Sequence, residues 1–470
     1  MNSLTHQQDK PDKIRIRALE LKNSSNVLIK KGIWIYFLLL LFEGALRKWF
    51  LPSLAGPLLV IRDPLCIWIL IQAWRNGSLN LNQYSISMGL IGIFGLYTAL
   101  FLGHGNFYVA LYGSRQFLLH FPLIFVMAKV LDKEDVLKFA RATLVISILM
   151  ILLIMTQFYS PQSAWVNKTV GGDAGGGFSG AMNFYRPSGT FSFTNGNTLF
   201  FNFAACFITY FWFKFKEVNR LLLLLSTIAL VLSIPFSISR SLFFQVLITV
   251  IFTVIATFLK PKHAFGMIMV VSGLFGFVIL LSFTTYFTTA TLAFTSRFDI
   301  ANSQEGGLNG VFFDRFLGGM IQAISLSSHQ PFFGYGIGLG TNVGTMLTVG
   351  GRGFLIAEGE WGRMVGEIGP VLGLTIVFLR LKLAISILFQ SFKTLSSGNF
   401  LPWILISYAF LLIAQGGWAQ PTSLGFCTLL GGLTLASFNE KSCARLKAIP
   451  TNNHRSTYSH SYEHHPVFTR

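Results

Sequence analysis

The chain has 470 residues, 52% of them hydrophobic and 11% charged, with 48 Phe and 9 Trp. Such a composition excludes a disordered chain and an ordinary soluble domain, and leaves an all-α, polytopic integral membrane protein. The formal net charge of +18 does not mark a nucleic-acid binder, because much of it lies in short flanks between apolar runs, where basic residues set orientation against a bilayer.

The polar leader, 1–31, carries Lys10, Lys13, Arg15, Arg17, Lys22, Lys30 and Lys31, a bias that places the N-terminus in the cytoplasm. No cleavable signal peptide is expected, since the first apolar run opens near Gly32 behind that leader and others follow at once. Apolar runs at 32–50, 55–74, 86–103, 108–129, 139–158, 191–213, 221–236, 240–259, 264–286, 364–386, 400–415 and 421–438 give about twelve spans in a membrane domain at 32–438. An even number returns the C-terminus to the cytoplasm, with 439–470 as a disordered tail whose His454, His460, His464 and His465 do not read as a metal site. The even-numbered crossings end in basic residues, as inner loops should: Arg75; Lys129, Lys133, Lys138 and Arg141; Lys214, Lys216 and Arg220; Lys260 and Lys262; Arg380, Lys382 and Lys393; Lys441, Arg445 and Lys447. Cys66, Cys206 and Cys427 lie inside apolar runs and Cys443 in the tail, without metal-ligand spacing, so they read as small hydrophobes.

Two outer segments, 159–190 and 287–362, are too long to be turns. The first holds Gly171, Gly172, Gly175, Gly176, Gly177 and Gly180 but no Gly-Lys-Ser/Thr ending, which argues for a mobile loop and against a P-loop. In the second, Phe313, Phe316, Leu317, Met320, Ile321 and Ile324 recur at helical spacing behind Asn309 and Gly310, predicting an amphipathic helix at the outer interface. The glycine-spaced run from His329 to Gly340 that follows lacks the preceding strand of a dinucleotide fingerprint and reads as a tight backbone turn.

On this topology Arg186, Arg240, Arg297, Arg315, Arg352 and Arg363 fall on the outer side, where Lys and Arg are normally scarce, and an anionic substrate would explain them. At each position, snorkelling to lipid phosphate or pairing with a carboxylate is the competing role, and for Arg297, with Asp299 close by, pairing is expected. Glu43, Arg47, Lys48, Arg62 and Asp63, in or beside the first two spans, read as internal ion pairs, with a lining for an anionic path as the alternative; Arg115 and Glu367 are read likewise.

Asp314-Arg315-Phe316, then Pro331-Phe332-Phe333-Gly334-Tyr335-Gly336-Ile337-Gly338, Glu358-Gly359-Glu360-Trp361 and Glu367-Ile368-Gly369-Pro370-Val371-Leu372-Gly373, resemble the late-loop signature of the O-antigen polymerase and ligase superfamily. Arg186-Pro187-Ser188-Gly189-Thr190-Phe191, with Asn195 and Asn197, resembles its earlier outer-loop boundary, and Ser237-Ile238-Ser239-Arg240-Ser241 the segment that sets an arginine between two central spans. The match covers about residues 180–380. The resemblance implies a multi-pass protein of the bacterial inner membrane and a metal-independent, inverting glycosyl transfer on its outer face, without a cofactor. The implied donor is a glycan on undecaprenyl pyrophosphate, and the acceptor is another lipid-linked glycan or lipid A core of lipopolysaccharide. Membrane lipids, a flippase and a chain-length regulator are the further implied partners.

Pyrophosphate is a concentrated anion that guanidinium groups grip in a bidentate, permanently charged manner, and charge growing on it as the glycosidic bond breaks would be stabilised by them. Arg186 and Arg240 lead as its ligands, then Arg315, Arg352 and Arg363. The family's ligases carry a histidine near the end of the late loop, where this chain has Glu358. That departure favours polymerisation of O-antigen, capsule or exopolysaccharide repeat units over ligation, with Glu358 or Glu360 as the base and His329 as a weaker candidate. A transporter or flippase of lipid-linked oligosaccharide is the alternative of another class, although no internal repeat supports it.

Overall fold

The computed structural model describes residues 9–79, 81–173, 176–259, 283–304, 318–325, 330–348 and 359–440. Among these the chain is helical apart from one small hairpin, and six helices are long and apolar enough to cross a membrane: Pro52–Arg75, Gln83–Phe101, Phe107–Val130, Lys133–Tyr159, Arg240–Leu259 and Pro370–Ser396. The principal helices are α1 (Asp9–Ala45), α2 (Arg62–Arg75), α3 (Gln83–Phe101), α4 (Phe107–Val130), α5 (Lys133–Tyr159), α6 (Thr194–Phe213), α7 (Arg220–Phe236), α8 (Arg240–Leu259), α9 (Thr285–Gln304), α10 (Gly318–Ser325), α11 (Glu360–Ile368), α12 (Pro370–Ser396), α13 (Leu401–Gln415) and α14 (Pro421–Ala436). Several helix starts are capped. Asn82, Asn106 and Asn219 cap α3, α4 and α7 through their side-chain oxygens, and Asp132 with Asp135 forms a capping box on α5.

Burial divides these helices by solvent. On α3, Ile86, Leu90, Ile93, Phe94, Tyr97 and Phe101 are exposed along one face, while Met88, Ile91, Gly92, Gly95 and Ala99 are buried on the other. An apolar face turned outward is what a lipid solvent permits and water does not. The centre is α6, which contacts α5, α7, α8, α13 and α14 and buries Phe200, Phe201, Phe203, Ala205, Cys206 and Phe207, which lie all round its circumference. A helix apolar on every side belongs in the middle of a bundle.

Two π turns break the regular rows. One, Leu46–Phe50, ends α1, and the other, Gln116–His120, interrupts α4. Each turn buries polar groups: Arg47 and Lys48 in the first, Gln116 and His120 in the second. Such bulges re-aim side chains and recur at functional sites.

The run expected to span 364–386 is divided at Gly369 (φ 88°) into α11 and α12. Arg380, grouped above with the inner-loop cations, is instead a fully buried residue of α12. Its guanidinium donates from Nε to Ile413 O (2.8 Å) and from Nη2 to Gly416 O (2.7 Å), and stacks 3.9 Å over the ring of Trp418. With Trp361 Nε1 donating to Ala414 O (2.7 Å), it satisfies carbonyls where α13 stops. The fifteen residues of α13 rise only about 22 Å, less than a hydrocarbon core of about 30 Å. The 416–420 connection that follows carries one buried side chain, Trp418, with Gln420 exposed at its end.

The outer segment expected from residue 287 begins inside a helix, since α9 runs from Thr285 to Gln304 and packs on α7 and the hairpin. The helix expected over 313–324 is present as α10 from Gly318, with Ile321 and Ile324 exposed. The span expected at 264–286 lies outside the described residues up to 282, as do the tail from 441, its histidines and its basic residues, and Lys260 and Lys262.

Candidate active site

Arg186 is positioned by a hairpin. Strand β1 (Ser179–Ala181) pairs antiparallel with β2 (Phe184–Tyr185), and Met182 and Asn183 close the turn at φ 53° and 64°, the double positive φ of a tight two-residue connection. Beyond β2, Arg186 N donates to Phe178 O (2.9 Å), and the guanidinium lies 5.5 Å from the Phe178 ring.

The next residues, Pro187–Ser192, run against the end of α1. Gly44 there meets the backbone of Thr190, Phe191 and Ser192 with no room for a Cβ, and Thr190 Oγ1 donates to Leu41 O (2.6 Å). The π turn after it directs Lys48 Nζ to Gly189 O (2.6 Å) and Ser188 Oγ (3.0 Å), and Arg47 to Ala55 O (2.8 Å) and Ser192 Oγ (3.0 Å). Gln157, on α5, completes the support, accepting from Gly189 N (2.8 Å).

A narrow cleft results. It is lined by Lys48, Lys168 and Arg186 together with Gln157, Gln162, Asn167, Thr169, Ser188, Ser192 and Thr194, and no carboxylate is among its lining residues. Among the described residues Lys48 forms no ion pair, and Arg186 Nε is buried without a hydrogen-bond partner. Among the described residues the cleft thus brings basic side chains together with no lining carboxylate, a lining that suits an anion.

Arg240 and Arg297 add to that field. Burial, then the charges of Arg297 and Arg240, push the Arg186 guanidinium down to about 10, still protonated at neutral pH. Arg297, expected to pair with Asp299, makes no ion pair with it among the described residues; two positions apart on α9, the side chains do not face each other. Arg240 opens α8 behind Ile238, a buried β-branched residue at φ 48° whose Cδ1 approaches Gly180 of the hairpin. Left-handed backbone at such a residue is strained and is held only by its surroundings. Here it lies between the hairpin carrying Arg186 and the helix beginning at Arg240.

The remaining charges are organised as buried pairs. Glu43 binds Arg62 (3.2 Å) and Arg47 (3.4 Å); Asp63 binds Arg115 (2.9 Å) and His120 Nε2 (3.0 Å), and His120 Nδ1 meets Tyr36 Oη at 3.0 Å. These are the internal pairs expected near the first two spans, Lys48 apart. On α11, Arg363 is gripped by Glu360 (2.7 Å) and Glu367 (2.7 Å), and Glu360 also takes Arg380 at 3.3 Å. Arg363 thus carries two carboxylates of its own, while both Glu360 oxygens receive guanidinium donors. An engaged carboxylate is a poor proton acceptor, and an arginine so paired has little charge left for a substrate.

The glycine run reads as expected, a backbone turn, and has a specific occupant. Gly334, Gly336 and Gly338 all take positive φ, and the amides of Gly338 and Gly340 donate to the two Glu367 carboxylate oxygens at 3.0 and 2.8 Å. Tyr335 N and Gly336 N reach Gly366 O and Glu367 O at 2.8 and 2.9 Å.

A second, wider cavity of about 360 Å³ opens beside Glu360, lined by Asn195, Gly359, Arg363, Gln415, Gly417, Ala419, Gln420 and Ser423. The start of α6 contributes to both, Phe193 and Thr194 lining the cleft and Asn195 the cavity.

The structure therefore sets Arg186 within electrostatic reach of Arg240 and Arg297, and sets Glu360 and Arg363 apart in an ion-pair network. Arg315, Arg352, Glu358 and His329 lie outside the described residues. Lys48 was legible only as a charge near a span, because the π turn that separates it from Glu43 has no sequence signature; Lys168 gave no signal in its polar loop. The chain matches no protein-family model, and no curated protein or solved structure is detectably similar to it.

Proposed function

We propose that this chain is an outer-face glycosyltransferase of the bacterial inner membrane, with about twelve spans and both termini cytoplasmic. Its reaction polymerises polysaccharide repeat units carried on undecaprenyl pyrophosphate. The supporting observation is the cleft that gathers Lys48, Lys168 and Arg186, with no lining carboxylate among the described residues, and with Arg186 also feeling the charges of Arg297 and Arg240. A diphosphate ester is the membrane-borne anion that such a cluster would neutralise.

In this reading the donor pyrophosphate lies against Arg186, Arg240 and Lys48. The acceptor hydroxyl oxygen attacks the anomeric carbon from the opposite face. The carbon–oxygen bond to pyrophosphate breaks with its electron pair left on the phosphate oxygen, and the configuration inverts. Negative charge grows on the leaving group during this step, so cations already fixed there favour the transition state over the ground state. The acceptor proton passes to a carboxylate, and Glu358 takes that role here because Glu360 is occupied by Arg363 and Arg380.

The test is purified protein in lipid with the lipid-linked repeat unit of its own host. Wild type should yield a ladder of longer lipid-linked chains, and Arg186→Lys and Arg240→Lys should lose most of it at normal protein levels, since an ammonium keeps charge but loses the planar fork. Full ladders from both variants would refute the anion role, and movement of the lipid-linked unit across vesicles without chain growth would replace polymerase by flippase.

A further inference from the structure

The cavity beside the cationic cleft differs from it in chemistry. Its polar lining comes from carboxamides, Asn195, Gln415 and Gln420, with the Ser423 hydroxyl. The two charged groups that border it, Glu360 and Arg363, belong to a closed set in which Glu360 and Glu367 face Arg363 and Arg380, so their charges cancel. A net-neutral wall offers nothing to a second phosphate. Carboxamides present a donor and an acceptor in one plane, the arrangement that neighbouring hydroxyls of a sugar ring can satisfy.

Size adds a second constraint. Gln415 ends α13 and Gln420 precedes α14, on either side of the 416–420 connection, and at about 360 Å³ the cavity is of ligand-binding size. Its position matters too. Asn195 Nδ2 donates to Gln420 Oε1 at 3.4 Å, tying the cavity wall to the first turn of α6, and the exposed ring of Phe193 stands on the cleft side of that turn. One short segment, Phe193–Asn195, thus lines both the cleft and the cavity.

We infer that this cavity is a glycan subsite, holding neutral sugar units by the Asn195, Gln415 and Gln420 carboxamides and Ser423 while the cationic cleft holds the pyrophosphate. This rests on the glycosyl-transfer reading above. Two sugars share that chemistry, the one leaving with the donor and the one arriving as acceptor, and the measurements below separate them.

Full-length protein in nanodiscs is titrated with two lipids, undecaprenyl pyrophosphate without sugar and the same lipid carrying one repeat unit. Wild type should bind the sugar-bearing lipid more tightly. Gln420→Ala and Ser423→Ala should lower affinity for the sugar-bearing lipid by about tenfold, the loss of one or two neutral hydrogen bonds, and leave the bare lipid unchanged. Unchanged affinity in the variants together with a raised KM for the acceptor would assign the cavity to the acceptor glycan, and lowered donor affinity would assign it to the donor glycan; either supports the subsite. Equal loss for both lipids, or no change in affinity and KM, would overturn it. Failure of wild type to bind either lipid would instead remove the glycosyl-transfer reading on which it stands.

Discussion

Charge left unneutralised for a substrate should weigh against the fold, and Arg186 provides the measurement. Its guanidinium is held down to about 10 by burial and by Arg297 and Arg240, more than two decades below the usual arginine range, which corresponds to about 3 kcal/mol. The sign follows from linkage: a base that binds its proton less tightly when folded opposes folding wherever it is charged, and the opposition fades only as pH rises through the folded and then the unfolded value. At neutral pH the full effect is present. Residual solvent access at this half-buried side chain reduces it, so Arg186→Gln should stabilise the ligand-free protein by about 1–2 kcal/mol. Pyrophosphate should separate the two proteins by the size of its effect: at a concentration one hundred times its wild-type Kd it stabilises wild type by about 2.7 kcal/mol and the variant far less. Thermal unfolding in nanodiscs, with and without inorganic pyrophosphate, reads both numbers. A variant less stable than wild type without ligand, or one with the same pyrophosphate shift, would refute this account of the cleft.

Glu360→Gln should destabilise the protein by about 3–5 kcal/mol, because Arg363 and Arg380 lose a shared buried counter-charge, yet turnover per folded molecule should stay near wild type. Glu358→Gln should do the reverse, lowering turnover by on the order of 10² to 10⁴ with donor binding intact; near-normal turnover per folded molecule would end its role as base. Single cysteines at positions in 171–180, in a background lacking native cysteines, should react with an impermeant reagent added from outside, and labelling only after the cytoplasm is opened would remove the outer-face mechanism.

Periodicity and composition carried the helices well. Most expected runs coincide with helices, while the caps Asn82, Asn106, Asp132 and Asn219 became evident only in the structure. Positions that depend on departures from regular geometry were not legible. Arg380 looks like an inner-loop cation by order along the chain, but the carbonyls where α13 stops, and the carboxylate of Glu360, draw it into the bundle. Gly369 announces a possible break only as one glycine among many. For the site, the arginines stood out because the expected topology sets them against the orientation rules, and of them Arg186 feels the charges of Arg297 and Arg240. Which charges pair was less visible: a list of Glu43, Arg47, Lys48, Arg62 and Asp63 does not reveal that Lys48 is the one turned towards Gly189 and the cleft.

The glycine run around Glu367 bears on how the outer face can move. Amide groups that elsewhere wait for an external anion are here already satisfied by a carboxylate of the same chain. The run therefore works as a latch whose bolt is α11. Because Glu360, Arg363 and Glu367 occupy successive turns of that one helix, a shift of the 334–340 segment pulls on the wall of the second cavity, and reshaping either one requires the other to yield. A helix of nine residues thus ties the 334–340 segment to the wall of the second cavity.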